Sequence, residues 1–410
     1  MLDAFFSHVL DDPIYIGNNE YLTIVTQGKN NNIEGITKDT NPKAGVLRVN
    51  ADTGEYKFID LYTHSESGDR YRAGVQVDNK VYIMRTQKQF VDSKVRIAVL
   101  NLDDNSVEMI VDDAVTIHGN PSPKLFCGHF NFGRPTLVGK KIVYPPLNSG
   151  VLIVFDTETS KFITADITEK FSSIWSTFVP ELNQVVFFPY GDLSDTIMTL
   201  DMTTFETTFV KAPVASTFYN AFTKDGKAYG VPLLLAQADK MNFWTYDGDT
   251  ITATEYTPFE TETYGSMGFK YGVVEQGKFI THTCWDQSKE VVKFDLATGT
   301  IERIKTDLEL GATPVKFQDN VYLFPSVQSV VMQDAPSSVY KLENDTVVKA
   351  FDLPNNNVSY SPINGAGDKL LLVPYKFAFD QADSKVTSQL TIVDLTAKTA
   401  KAIDIDLAVA

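Results

Sequence analysis

Residues 134–167 read RPTLVGKKIVYPPLNSGVLIVFDTETSKFITADI, four short apolar runs separated by polar turns. One run ends at Val138 and the next begins at Ile142, across Gly139 and Lys140. A third runs from Val151 to Phe155, and a fourth from Lys161 to Ile163, after a turn that opens at Asp156. Short β-branched and aromatic runs, punctuated by Gly, Asn and Asp, predict two antiparallel hairpins placed back to back.

The same unit recurs along the whole chain. The first hairpin turn appears in IGNNEYL, VDNKVYI, VGKKIVY, ELNQVVF, KDGKAYG, EQGKFIT, FQDNVYL and AGDKLLL. The residue after each turn is Glu20, Lys80, Lys141, Gln184, Lys227, Lys278, Asn320 and Lys369. The second hairpin turn opens at Asn50, Asn101, Asp156, Asp201, Asp247, Asp295, Glu343 and Asp394. An Asp or Asn side chain there can accept from the backbone of its own turn, which gives the recurrence a physical cause. Five residues past the first anchor, Pro146, Pro189, Pro232, Pro325 and Pro374 occupy equivalent places. Proline cannot donate to a ladder, so it is expected to mark the end of the second strand.

Eight copies of a four-stranded unit, alternating without a miss, predict an all-β fold: an eight-bladed β-propeller of antiparallel blades. Seven blades plus a detached sheet is the alternative. The blades are placed at about 12–62, 72–112, 134–167, 175–211, 218–257, 266–306, 311–353 and 359–406. Residues 1–11 form an N-terminal segment at the closure seam and residues 12–410 a single propeller domain. Both terminal blades look complete, so blade 8 is expected to dock on blade 1 without exchanging a strand, and residues 4–10 to add a strand or short helix at that seam.

With the strands of each blade lettered a to d, the a–b and c–d turns are short. The length variation falls on the b–c and d–a connections, at residues 28–44, 113–133 and 376–388 above all. Long loops on a rigid scaffold are where binding usually resides, so any site is expected there.

Composition narrows the partners. Thirty-six basic residues against 52 acidic ones give a net charge of −16, which disfavours nucleic acid and anionic lipid. No run of eighteen apolar residues occurs, so no membrane insertion is expected. The start, MLDAFFSHVLDDP, lacks the features of a secretory signal. That places the protein in the cytoplasm, or, for a viral protein, in the host cytoplasm during assembly and then in the virion. Two cysteines, Cys127 and Cys284, give no disulfide framework.

Candidate chemistry is sparse. His118, Cys127 and His129 could join His282, Cys284 and Asp286 around zinc, but the spacing matches no zinc pattern and the two groups belong to distant blades; no metal is assigned. Glu260, Glu262, Asp286, Asp380 and Asp383 could supply a carboxylate pair, an ordinary finding on so acidic a chain. Aromatics crowd the loop side, and packing between blades is their commoner fate. Arg70, Arg72, Arg85 and Arg134 could clamp a carboxylate or bridge blades. The residues chosen as a binding set are Phe126, His129, Phe130, Arg134, Trp175, Tyr264, Trp285 and Phe377, with no catalytic residue and no cofactor. The serine-hydrolase elbow, the phosphate-binding glycine loop and the zinc-protease helix motif are all absent.

The blades resemble the β-propeller superfamily, nearest to YVTN and kelch-like propellers of bacterial surface proteins and phage virion proteins. The stretches at Ala51-Asp52-Thr53-Gly54 and Asp295 to Gly299 look like part of the blade motif of quinone-dependent dehydrogenases. The docking tryptophan of that motif is missing, so the quinone is not carried over. The expectation is a non-enzymatic binding or structural propeller, a tail or capsid-associated component of a phage virion. Its partners would be proteins in an assembly or a host-surface glycan. The alternative is an enzyme acting on a carbohydrate or small metabolite at the channel mouth.

Overall fold

The computed structural model describes residues 4–6, 13–27, 44–61, 70–86, 93–117, 132–147, 149–167, 171–235, 241–256, 266–283, 290–306, 311–327, 338–355, 367–373 and 389–405. They are almost entirely β, and the fold is an all-β, eight-bladed propeller of four-stranded antiparallel blades. The chain divides into two compact units, Met1–Arg72 with Tyr271–Ala410, and Ala73–Lys270. Blades 3, 4 and 5 and most of blade 2 belong to the second unit. In blade 8, three strands fall among the described residues: Lys369–Leu372, Gln389–Asp394 and Thr399–Asp404.

The unbroken apolar run of strand c follows from burial on both faces. In blade 3 this strand is Val151–Asp156. Ile153 and Phe155 pack with Tyr82, Ile97 and Val99 of blade 2, while Leu152 and Val154 pack with Val185, Phe187 and Met198 of blade 4. Successive side chains point to opposite faces. A strand sandwiched between two blades therefore needs an apolar residue at every position, not at every second one. Blade 4 repeats the rule: Val185 and Phe187 face blade 3, and Val186 and Phe188 join Phe218 and Trp244 of blade 5. In the first unit, equivalent clusters join blade 6 to blade 7 and blade 7 to blade 8.

The turns have the causes the sequence suggested. The side-chain oxygen of Asn50, Asn101, Asp156, Asp201, Asp247, Asp295 or Asp394 accepts from backbone N–H groups two or three residues on. Glu343 differs. Its strand returns at once through Asn344 and Asp345, both at positive φ, with Glu343 paired to Thr346. A two-residue turn of that kind leaves no backbone for the carboxylate to cap, and Glu343 instead pairs with Lys341. Blade 4 departs at its first hairpin. Strand a ends at Val179 and strand b starts at Gln184, with a 3-10 turn over Pro180–Leu182 between them.

One expectation is corrected. Pro232 and Pro325 do not end strand b: it runs on to Leu235 in blade 5 and to Val327 in blade 7. Each proline lies just past the last residue paired with strand c, Gly230 opposite Trp244 and Leu323 opposite Tyr340. The missing N–H therefore falls where strand c no longer asks for it. Pro374 lies outside the described residues. The N-terminal segment does contain a strand, Ala4–Phe6, but it pairs with Val25–Gln27 in blade 1 itself. Strand a of blade 1, Ile14–Gly17, pairs further along the same strand b. Blade 8 docks on blade 1 as expected: the Tyr21 hydroxyl donates to the Lys369 carbonyl at 2.5 Å.

Candidate functional site

The connection end of blades 3, 4 and 5 is held by backbone hydrogen bonds between neighbouring blades. Strand b of each blade is tied there to the start of the next blade. Ser173 N–H donates to the Pro146 carbonyl at 2.7 Å, and Phe218 N–H donates to the Pro189 carbonyl at 2.8 Å. At the end of blade 5 this tie becomes a ladder, with Leu233–Leu235 opposite Ser266–Gly268. The prolines thus keep a carbonyl free for the neighbouring blade, since a proline still accepts although it cannot donate.

Arg134 and Trp175 meet at this end. Trp175 stands immediately before the innermost strand of blade 4, Ser176–Val179, and Arg134 two residues before that of blade 3, Thr136–Val138. The Arg134 guanidinium lies 4.5 Å from the centre of the Trp175 ring, within the range of a cation–π contact. The backbone sets the pair. Arg134 N–H donates to the Ile174 carbonyl at 2.8 Å, and Gly133 N–H donates to the Pro145 carbonyl at 2.8 Å. A Cβ on Gly133 would overlap the backbone of Ile174, so only glycine allows this approach. Ser173, fully buried, donates its hydroxyl to the Trp175 carbonyl at 2.8 Å. One edge of Trp175 packs on the cluster that contains Phe218 and Trp244.

The connection end also holds buried polar groups bonded to one another. Ser172 donates its hydroxyl to the Leu147 carbonyl at 2.5 Å, and Gly191 N–H donates to the Thr217 hydroxyl at 3.2 Å. Tyr190 and Tyr219 meet edge to face, 5.9 Å apart. Further down the innermost strands, Thr136 and Ser176 hydroxyls lie 2.7 Å apart, as do those of Thr177 and Thr223. Beneath Phe132, Tyr144 is fully buried, and burial holds its phenol far above the ordinary tyrosine range. It is a neutral group at any working pH, not an acid–base candidate.

Of the residues chosen from sequence, the structure brings Arg134 and Trp175 together. Phe126, His129, Phe130, Tyr264, Trp285 and Phe377 lie outside the described residues, as do His118, Cys127, Cys284 and the five loop carboxylates. Phe132, Tyr219 and Tyr256 are buried and pack between strands, the commoner fate anticipated for loop-side rings. His282 is buried on strand b of blade 6. Among the described residues no group of three or more His, Cys, Asp or Glu side chains could hold a metal ion. Gly133 and Ser173 were not chosen. The only signal for Gly133 was a glycine directly ahead of the Arg134-Pro135 step, and Ser173 carried none.

No protein-family model matches this chain, and no curated protein does. Solved structures do. The dihydro-heme d1 dehydrogenase NirN is similar at 10% identity and a TM-score of 0.59, covering 98% of this chain and 78% of that one. A prolyl endopeptidase is similar at 12% identity and a TM-score of 0.50, covering 96% of this chain and 54% of that one. The β-propeller domain of the Trilobed protease from Pyrococcus furiosus is 14% identical, with a TM-score of 0.45, over 83% of this chain and 93% of that one. At such identities the similarity establishes the propeller fold alone. Among the described residues no helix is long and apolar enough to cross a membrane.

Proposed function

We propose that this chain is a non-enzymatic binding propeller that engages a protein partner in an assembly through the connection end of its blades, with Arg134 and Trp175 as anchors. One observation carries the reading. The hairpin turns are short and bonded to their own strands, whereas the longest connections fall at the connection end, which in blades 3 and 4 carries a stacked Arg–Trp pair set by backbone hydrogen bonds. Arg and Trp are the residue types that dominate interface hot spots, because a stacked guanidinium keeps its donors while its face and the indole supply buried area. The finer form of the proposal makes the assembly a tailed-phage particle, with a surface glycan as the further ligand.

The test is copurification with particles at fixed stoichiometry, together with titration of the isolated partner protein and a glycan array. Trp175→Ala and Arg134→Gln are each expected to weaken the partner complex by about tenfold or more, the loss typical of one interface anchor. A chain that copurifies with nothing, or variants that bind as the parent does, would overturn the proposal.

A further inference from the structure

Blade 8 meets blade 1 within one compact unit, and Lys369, the first residue of strand b in blade 8, stands at the centre of their junction. Its ammonium donates to the carboxylate of Asp52, in the c–d turn of blade 1. Asp52 also accepts from the Asn19 side-chain amide, at 3.2 and 3.3 Å. The backbone carbonyl of Lys369 is held by Tyr21, whose ring is fully buried in blade 1. Gly367 abuts Asn19 so closely that a Cβ would overlap the amide oxygen. Asp368 and Asp394 of blade 8 also act on the Lys369 charge. The cation thus binds a carboxylate of blade 1, and the backbone carbonyl of the same residue is bonded to Tyr21 of that blade.

Consecutive blades are joined by the chain itself. Blade 8 and blade 1 are not, and among the described residues each keeps its own strands. We infer that Lys369 is a charge latch: its ion pair with Asp52 holds blade 8 on blade 1, and loss of its charge lets these two blades part locally.

The titrating groups agree in sign. Hydrogen bonds from Lys369 and then Asn19 hold the Asp52 carboxyl below its usual range. The bond to Asp52 raises Lys369. Tyr21 is pushed up, first by burial and then by Tyr15 and Asp368, so its hydroxyl stays a donor. A depressed carboxyl gives stability that is present above its unfolded value and lost as pH falls through the folded one; a raised lysine gives stability that is lost only in strong base. The latch is complete between about pH 5 and 10, and acid weakens it. Removing the cation removes this acid response, because the junction then lacks the ion pair that acid would break.

Hydrogen exchange followed by mass spectrometry, corrected for intrinsic rates, tests the latch on the whole chain. Lys369→Met should lower protection in Glu20–Gln27 and Lys369–Leu372 about three- to tenfold at pH 7, leaving Gln184–Phe187 in blade 4 unchanged. Lowering the pH from about 7 to about 3 should loosen the junction in the parent and change it less in Lys369→Met. Asp52→Asn, which removes the ion pair but leaves an acceptor for the Asn19 amide, should loosen the same two segments by less. Lys140→Met, which breaks the Lys140–Asp78 pair between blades 2 and 3, should leave both segments as they are. Parent-like protection in Lys369→Met, equal loosening of blade 4, or acid loosening of the junction as large in Lys369→Met as in the parent would each overturn the inference.

Discussion

Phe155 offers the sharpest test of how the blades pack. Its ring is fully buried, 4.9 Å from Phe162 in its own blade and 5.6 Å from Tyr82 in blade 2. A phenylalanine buries roughly 150–250 Å², worth about 4–6 kcal/mol as an upper bound at ~25 cal/mol per Å². Alanine keeps part of that area but leaves a cavity between two strands that are fixed by their ladders. Phe155→Ala should therefore cost about 3–5 kcal/mol, read from urea unfolding at pH 7. A double-mutant cycle adds direction. Phe155→Leu and Tyr82→Leu should couple by about 0.5–1.5 kcal/mol, as an aromatic pair does. Val154→Ala should add to Tyr82→Leu within about 0.5 kcal/mol, since Val154 points into blade 4 and shares no partner with Tyr82. A loss below about 1 kcal/mol for Phe155→Ala, or coupling of Val154 rather than Phe155 to Tyr82, would mean that strand c is placed one residue out of register.

Gly133→Ala should cost more than an ordinary surface change, about 2 kcal/mol or more, because its Cβ meets the Ile174 backbone and not a movable side chain; it should also weaken partner binding by separating Arg134 from Trp175, and a variant with parent stability and binding would refute the stated geometry. Acid should destabilise the c–d turns. The carboxyl of Asp201 is held below its ordinary value by the Thr204 and then the Thr203 N–H groups, so its contribution is present above the unfolded value and is lost as pH falls through the folded one. Asp201→Asn keeps the accepting oxygen without the titration, so thermal midpoints measured between about pH 5 and 2 should fall less steeply for this variant than for the parent; equal slopes would remove the capping carboxylate from the account.

The blade plan was legible because two-sided burial and turn chemistry both write themselves locally. The run Leu152 to Phe155 has no polar position because neither face of strand c meets water, and Asp156 opens the turn because its carboxylate caps it. The proline regularity was equally visible, but its meaning was not. Whether Pro232 ends a strand or merely passes beyond strand c depends on where its neighbour stops, and that is set by pairing across the sheet. The Glu343 turn was grouped with the aspartates by position, yet positive φ at Asn344 and Asp345 made it a different turn. Arg134 and Trp175 could be chosen by type and by their place ahead of strand a. That they stack follows from the offset between adjacent blades, fixed by the Ile174 carbonyl and Gly133, which no single-residue property encodes.

The central claim is that partners engage the connection end of the blades and not the turn end. A photo-crosslinking residue can be placed at Asp192, exposed beside strand c of blade 4, and in a second protein at Glu158, exposed in the c–d turn of blade 3. Irradiated with the copurifying partner, the protein labelled at position 192 should form the covalent adduct and the one labelled at 158 should not. An adduct from position 158 with none from 192 would contradict the account.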